Sequence, residues 1–158
     1  MRIAIGSDRR GFDYKQQLLE YLTQKKYDVI DIGPYDNLFP VDYPIYGELV
    51  GKSVSSGQCD KGIVICSTGI GIMIACNKIN GVRCGIGYTD DVARLMREHN
   101  NANIIAFGQD YMSLEDVKRR TDIFLESAFL EGYHCTRIEQ LKRLEEGKKI
   151  YQTPRMNG

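Results

Sequence analysis

Residues 66–71 read Cys-Ser-Thr-Gly-Ile-Gly and follow the apolar run Gly62-Ile63-Val64-Ile65. A thiol, two hydroxyls and two glycines therefore stand where a strand should hand over to a helix. At the N-terminus of a helix a thiol feels the partial positive charge of unpaired backbone N–H groups, which favours the thiolate. Ser67, Thr68, Gly69 and Gly71 add N–H groups and hydroxyls, a natural hole for an oxyanion or a phosphate. The same residues would also suit a tight packing turn beside a small buried cysteine. The run is not a dinucleotide fingerprint, because Ile74 stands where a third glycine would be and the run follows the third strand. Nor is it the loop of a cysteine phosphatase, because Ile72 stands where that loop needs an arginine.

Two further stretches carry chemistry. In Gly6-Ser7-Asp8-Arg9-Arg10-Gly11, Asp8 is either a helix cap or a ligand-binding carboxylate. The adjacent guanidiniums of Arg9 and Arg10 suit a phosphate or carboxylate. His99-Asn100 closes a helical stretch and runs into a polar turn, where His99 is either an acid–base group or an ordinary histidine on the helix dipole.

The elements that position these residues follow from the hydrophobic pattern. Short runs, apolar on both alternations, predict strands at 3–6, 29–32, 62–66, 83–87 and 103–107. Helical spacing predicts helices at 14–25, 45–55, 71–79, 90–99, 114–129 and 136–146. The second begins after Pro44, and the fifth is introduced by the capping pattern Ser113 to Asp116. This β-α alternation defines an α/β fold: a single three-layer domain over 1–147 with a five-stranded, mostly parallel sheet and a C-terminal helix. Residues 148–158 read as a tail that is loose or drapes over a partner subunit. Ligands of such sheets bind beyond the carboxyl ends of the strands. Residues 6–11, 33–35 with 42–43, 66–69 and 108–110 occupy those ends. His99 falls at the opposite end, so a single chain cannot bring it to the thiol, whereas a dimer could.

The 158 residues carry 21 basic and 21 acidic side chains, so no net field points to nucleic acid or an anionic membrane. No apolar run approaches the ~18 residues that span a bilayer. The first residues read as a strand rather than a signal segment, and five cysteines show no CxxC pair. Both features suggest a soluble, cytoplasmic protein. Two histidines, His99 and His134, argue against a zinc site.

Taken together, IGSD (5–8), VDYP (41–44), GIVICSTGIGIMIACNK (62–78), GVR (81–83), REHNNAN (97–103) and Glu131, Gly132, His134 and Arg137 resemble the type B ribose-5-phosphate isomerase family. That family includes the subunits of galactose-6-phosphate isomerase, and the resemblance runs from residue 1 to about residue 143. It implies a Rossmann-like fold, a metal-free aldose–ketose isomerase with no cofactor, and active sites shared in a homodimer or dimer of dimers. It further implies Cys66 as the base for a cis-enediolate whose oxygen the N–H groups of Ser67 to Gly71 hold. His99, with Asp8 and Thr68, would open the sugar ring; Asn100 would bind sugar oxygens, and Tyr43 and Asn77 would shape the site. His134 and Arg137 match the family's phosphate-binding end. Three positions depart from it: Arg9 replaces a histidine, and Asp110 and Tyr133 each replace an arginine. Arg9 or Arg10 could neutralise Asp110; alternatively, Asp110, Tyr133 and the arginines form a hydrogen-bonding wall for another tail. The expected substrate is a sugar phosphate, by default ribose 5-phosphate. The departures also leave open an unphosphorylated aldose, or a silent sugar-binding subunit of a heteromer.

Overall fold

The structure, a computed structural model, describes residues 1–152. Strands β1 (Arg2–Ser7), β2 (Asp28–Gly33), β3 (Lys61–Cys66), β4 (Cys84–Ile86) and β5 (Ile104–Gly108) form one sheet in the order β2-β1-β3-β5-β4. Every pairing is parallel, so the expected mostly parallel sheet is wholly so. Parallel neighbours need crossover connections. These are α1 (Phe12–Gln24), α2 (Tyr43–Ser55), α3 (Ile70–Cys76) and α4 (Asp90–Glu98); α5 (Leu114–Glu126) and α6 (Tyr133–Glu145) follow the last strand.

Helices on both faces explain strands that are apolar on both alternations. Ile3, Ile5, Ile63, Ile65, Ile105 and Phe107 turn towards Leu18 and Leu22 of α1, Met96 of α4, and Val117 and Phe124 of α5. Ala4, Val64, Ile104 and Ala106 turn the other way, onto Val50 and Val54 of α2 and Ile72 and Cys76 of α3. A fully buried cation enters the first layer: Lys15 of α1, its Nζ 2.7 Å from both oxygens of Asp31. A buried ammonium persists only with such a partner. No helix among the described residues is long and apolar enough to cross a membrane.

Several boundaries differ from the spacing-based expectation, each for a local reason. Helix α1 begins at Phe12 because the chain turns tightly over β3 at Gly11, where a Cβ would lie 2.3 Å from the Ile65 carbonyl oxygen. Helix α3 stops at Cys76, since Asn77 caps it and spends its side-chain amide on Cys84. Helix α5 ends at Glu126 because Ser127 is extended (ψ 138°), and α6 starts at Tyr133 behind Gly132, whose φ is 58°. The expected tail is tied to α6 as far as Tyr151, whose carbonyl accepts from Gln140 at 2.7 Å; residues 153–158 lie outside the described residues.

Candidate active site

The carboxyl ends of β1, β3 and β5 are adjacent, and the three turns leaving them are fastened main chain to main chain. Asp8 N–H donates to the Ile65 carbonyl (3.2 Å), Gln109 N–H to Cys66 (2.9 Å) and Asp110 N–H to Ser67 (3.1 Å). The fit leaves no room for side chains. A Cβ on Gly108 would lie 2.6 Å from the Thr68 carbonyl carbon and oxygen, and one on Gly69 would lie 3.0 Å from the Phe107 carbonyl carbon. Gly69 also has φ 82°, a left-handed conformation that glycine adopts without strain.

This turn holds the thiol. Cys66 is 4 % exposed at the end of β3, and its Sγ accepts the Gly69 N–H at 3.1 Å. An N–H aimed at sulfur suits a thiolate acceptor. Exposed Thr68 stands beside it, its Oγ1 accepting the Ile70 N–H at 3.2 Å. The ring of Tyr43, the first residue of α2, lies against Gly71, where a Cβ would meet its Cζ at 2.9 Å. The Tyr43 ring therefore packs against the turn that follows the thiol, where Gly71 leaves room for it.

Asp8 braces the turn without being the helix cap. Its Oδ1 accepts the Gly11 N–H at 2.9 Å and so ties the turn ahead of α1, although Gly11 rather than Asp8 is the helix cap. Burial raises the Asp8 carboxyl above the ordinary range, against the opposing pull of the Gly11 and Arg10 N–H groups and the Arg10 charge. Arg10, not Arg9, neutralises Asp110, at 2.9 Å. The same carboxylate oxygen accepts the Ser67 hydroxyl at 2.6 Å, and these two bonds hold Asp110 below the usual carboxylate range. Among the described residues Arg9 is exposed and makes no ion pair.

The remaining candidates gather elsewhere. Helix α4 runs back along the sheet and delivers His99 and Asn100 to the amino ends of the strands, where Asn103 bonds to Arg83 and Gly62. There the His99 and His134 rings stack at 4.4 Å and 13°. Tyr133 lies 4.0 Å from His134, and the Arg137 guanidinium sits 4.7 Å over Tyr133. His134 is 7 % exposed, and burial, with His99 and Arg137 nearby, lowers its pKa below the ordinary 6.5. Asn77, expected to shape the site, lies on the side of Asn100. Its amide is pinned to the Cys84 backbone at 2.9 and 2.8 Å, and it lines a cavity of about 460 Å³ with Asn100, Arg83 and Leu144. Two contributors escaped the sequence reading. Gln109 ties its turn to α1 by accepting the Tyr14 N–H at 2.9 Å, and Leu130 N–H donates to Glu98 beside His99 at 3.0 Å. Both connections end on a backbone group, which no residue pattern announces.

A parallel α/β sheet with a thiol and an anion cradle at one end defines an enzyme that handles a small, oxygen-rich substrate at its carboxyl edge. The particular family follows from comparison. The chain belongs to the Ribose/Galactose Isomerase family, whose sequence model matches residues 3–141, and it is an aldose–ketose isomerase. It is 37 % identical over 145 residues to ribose-5-phosphate isomerase B of Escherichia coli K12, covering 92 % of this chain and 97 % of that one. The solved structure of Clostridium thermocellum ribose-5-phosphate isomerase B superposes with a TM-score of 0.91 at 41 % identity, over 93 % of this chain and 99 % of that one. Mycoplasma genitalium ribose-5-phosphate isomerase B, solved with bound ribulose-5-phosphate, gives 0.88 at 34 % identity, over 92 % and 96 % of the two chains.

Proposed function

We propose that this isomerase interconverts ribose 5-phosphate and ribulose 5-phosphate through a cis-enediolate, with Cys66 as the base. The thiolate takes the proton from C2 and the C1 oxygen gains the charge; the C2 hydroxyl proton passes to the C1 oxygen across the cis-enediolate, and the same thiol returns its proton to C1 as the C2 carbonyl forms. One base on one face suffices, so the chemistry calls for no cofactor. The enediolate oxygen sits at the Ser67–Gly71 turn beside the Thr68 hydroxyl, held by main-chain N–H groups of that turn other than those of Gly69 and Ile70, which serve Cys66 and Thr68. The observation that carries this reading is the Cys66 sulfur held by the Gly69 N–H within the cradle itself.

His99 opens the furanose by moving its ring-hydroxyl proton, and Asn100 binds sugar oxygens. Both do so from a second subunit, because the sheet separates them from Cys66 within one chain. The supporting observation is their place at the amino ends of the strands, on a ring stack that includes Tyr133, His134 and Arg137. The working form is a homodimer or dimer of dimers. A cytoplasmic location is supported by five unpaired cysteines, four of them buried.

The test is ketose formation from ribose 5-phosphate and from free ribose, side by side at matched concentration without added metal. Turnover of the phosphate ester is expected. Turnover of free ribose alone would overturn the substrate, and silence on both would redirect the search to six-carbon aldoses.

A further inference from the structure

Among the described residues, the carboxylate of Asp110 bridges the other two turns of the cradle. Its Oδ2 takes the Ser67 hydroxyl and the Arg10 guanidinium together, at 2.6 and 2.9 Å. Two bonds on one oxygen fix the orientation of the group. The other oxygen, Oδ1, accepts no hydrogen bond among the described residues, and the side chain is 31 % exposed. A preset, partly exposed acceptor therefore lies beside Ser67, the residue that follows the thiol.

Two consequences follow from charge and position. An aldose held with its C1 and C2 at Cys66 and its chain running across Ser67 brings its chain hydroxyls or its far-end phosphate towards Asp110. A hydroxyl gains an anionic acceptor there, which makes the stronger kind of hydrogen bond. A phosphate dianion meets a like charge, while Arg10 is already paired to that carboxylate.

We propose that Asp110 is a specificity-determining residue of this site. It favours the polyhydroxyl chain of the aldose and weakens the hold on the phosphate, leaving that hold mainly to Arg9 and to cations brought by the second subunit. This rests on the sugar-phosphate reading above.

The test compares wild type, Asp110→Asn and Arg10→Gln by calorimetry with inorganic phosphate and with ribose 5-phosphate, together with steady-state kinetics. Asp110→Asn is expected to bind both ligands about three- to tenfold more tightly at low salt, an advantage that shrinks at high ionic strength. Arg10→Gln is expected to bind both more weakly, because it leaves the carboxylate unneutralised. A loss of structure alone would move both variants in the same direction and would show no salt dependence. Should Asp110→Asn fail to fold, Arg10→Gln alone decides. Unchanged phosphate affinity in the folded variants would overturn the role of Asp110. Shifted phosphate affinity in a protein that forms no ketose from ribose 5-phosphate would overturn the substrate and leave the role of Asp110 standing.

Discussion

The two ends of the sheet hold their functional residues by different means. At the carboxyl end Asp8, Cys66, Ser67 and Asp110 are fixed by main-chain bonds between three turns, with glycines where no side chain fits. At the amino end His99, Tyr133, His134 and Arg137 are held by ring stacking on an outlying helix whose one buried residue is His134. Backbone contacts tolerate almost no displacement, whereas a stack of rings and a guanidinium can slide. The difference teaches that the first end is rigid by construction, as a site holding a reactive atom would need to be. On the proposed reading, the second end is the part that settles against a second subunit.

The comparison breaks most sharply at Cys66. Cys66→Ala is expected to lower kcat by about a thousandfold or more while ribose 5-phosphate still binds, the range that removal of a proton-transfer group gives. Retained turnover would remove Cys66 as the base. Next comes the link between the ends. His99→Ala alone is expected to lose about a hundredfold in kcat. Mixed one to one with Cys66→Ala and allowed to exchange subunits, it should recover about a quarter of wild-type activity, since half the dimers carry one intact shared site. No recovery would mean that the two residues act from the same chain or not together.

The rigidity contrast is sharpened by a smaller pair of changes. Gly108→Ala should destabilise the fold by about 1–3 kcal/mol, because its methyl group overlaps the Thr68 carbonyl. Tyr133→Phe, at an exposed ring, should change stability by less than about 0.5 kcal/mol. Thermal unfolding of the two proteins decides it, and equal effects would erase the contrast.

The smallest effect concerns His134. Its pKa is lowered on folding, so as a neutral ring it contributes stability above pH 6.5 that is lost as pH falls through the lowered folded value. Denaturant melts between neutral pH and mild acid should show wild type losing more stability than His134→Gln. Parallel pH profiles would mean that the buried stack does not resist protonation.

Much of this was legible in the residues because it rests on local rules. Short runs apolar on both alternations marked all five strands, and Pro44 and Ser113 marked the starts of α2 and α5. The thiol turn stood out by a cysteine, two hydroxyls and two glycines at a strand-to-helix junction, although a packing turn could carry them too. The contacts of Asn77 were not legible in the same way. That residue sits in the most recognisable stretch of the chain, yet its amide answers a backbone need on β4 that only the fold creates.

The sequence by itself determined the layer architecture, the thiol and its cradle, and the fact that His99 lies at the wrong end of the sheet for one chain. Each depends on spacing along the backbone, which a strand or helix converts directly into position. Only the tertiary structure decided that Arg10 rather than Arg9 neutralises Asp110, that Ser67 shares the same oxygen, and that His99 stacks on His134. Those pairings join residues far apart in the chain. Adjacent arginines are equivalent until the turns fold and give one of them the shorter path.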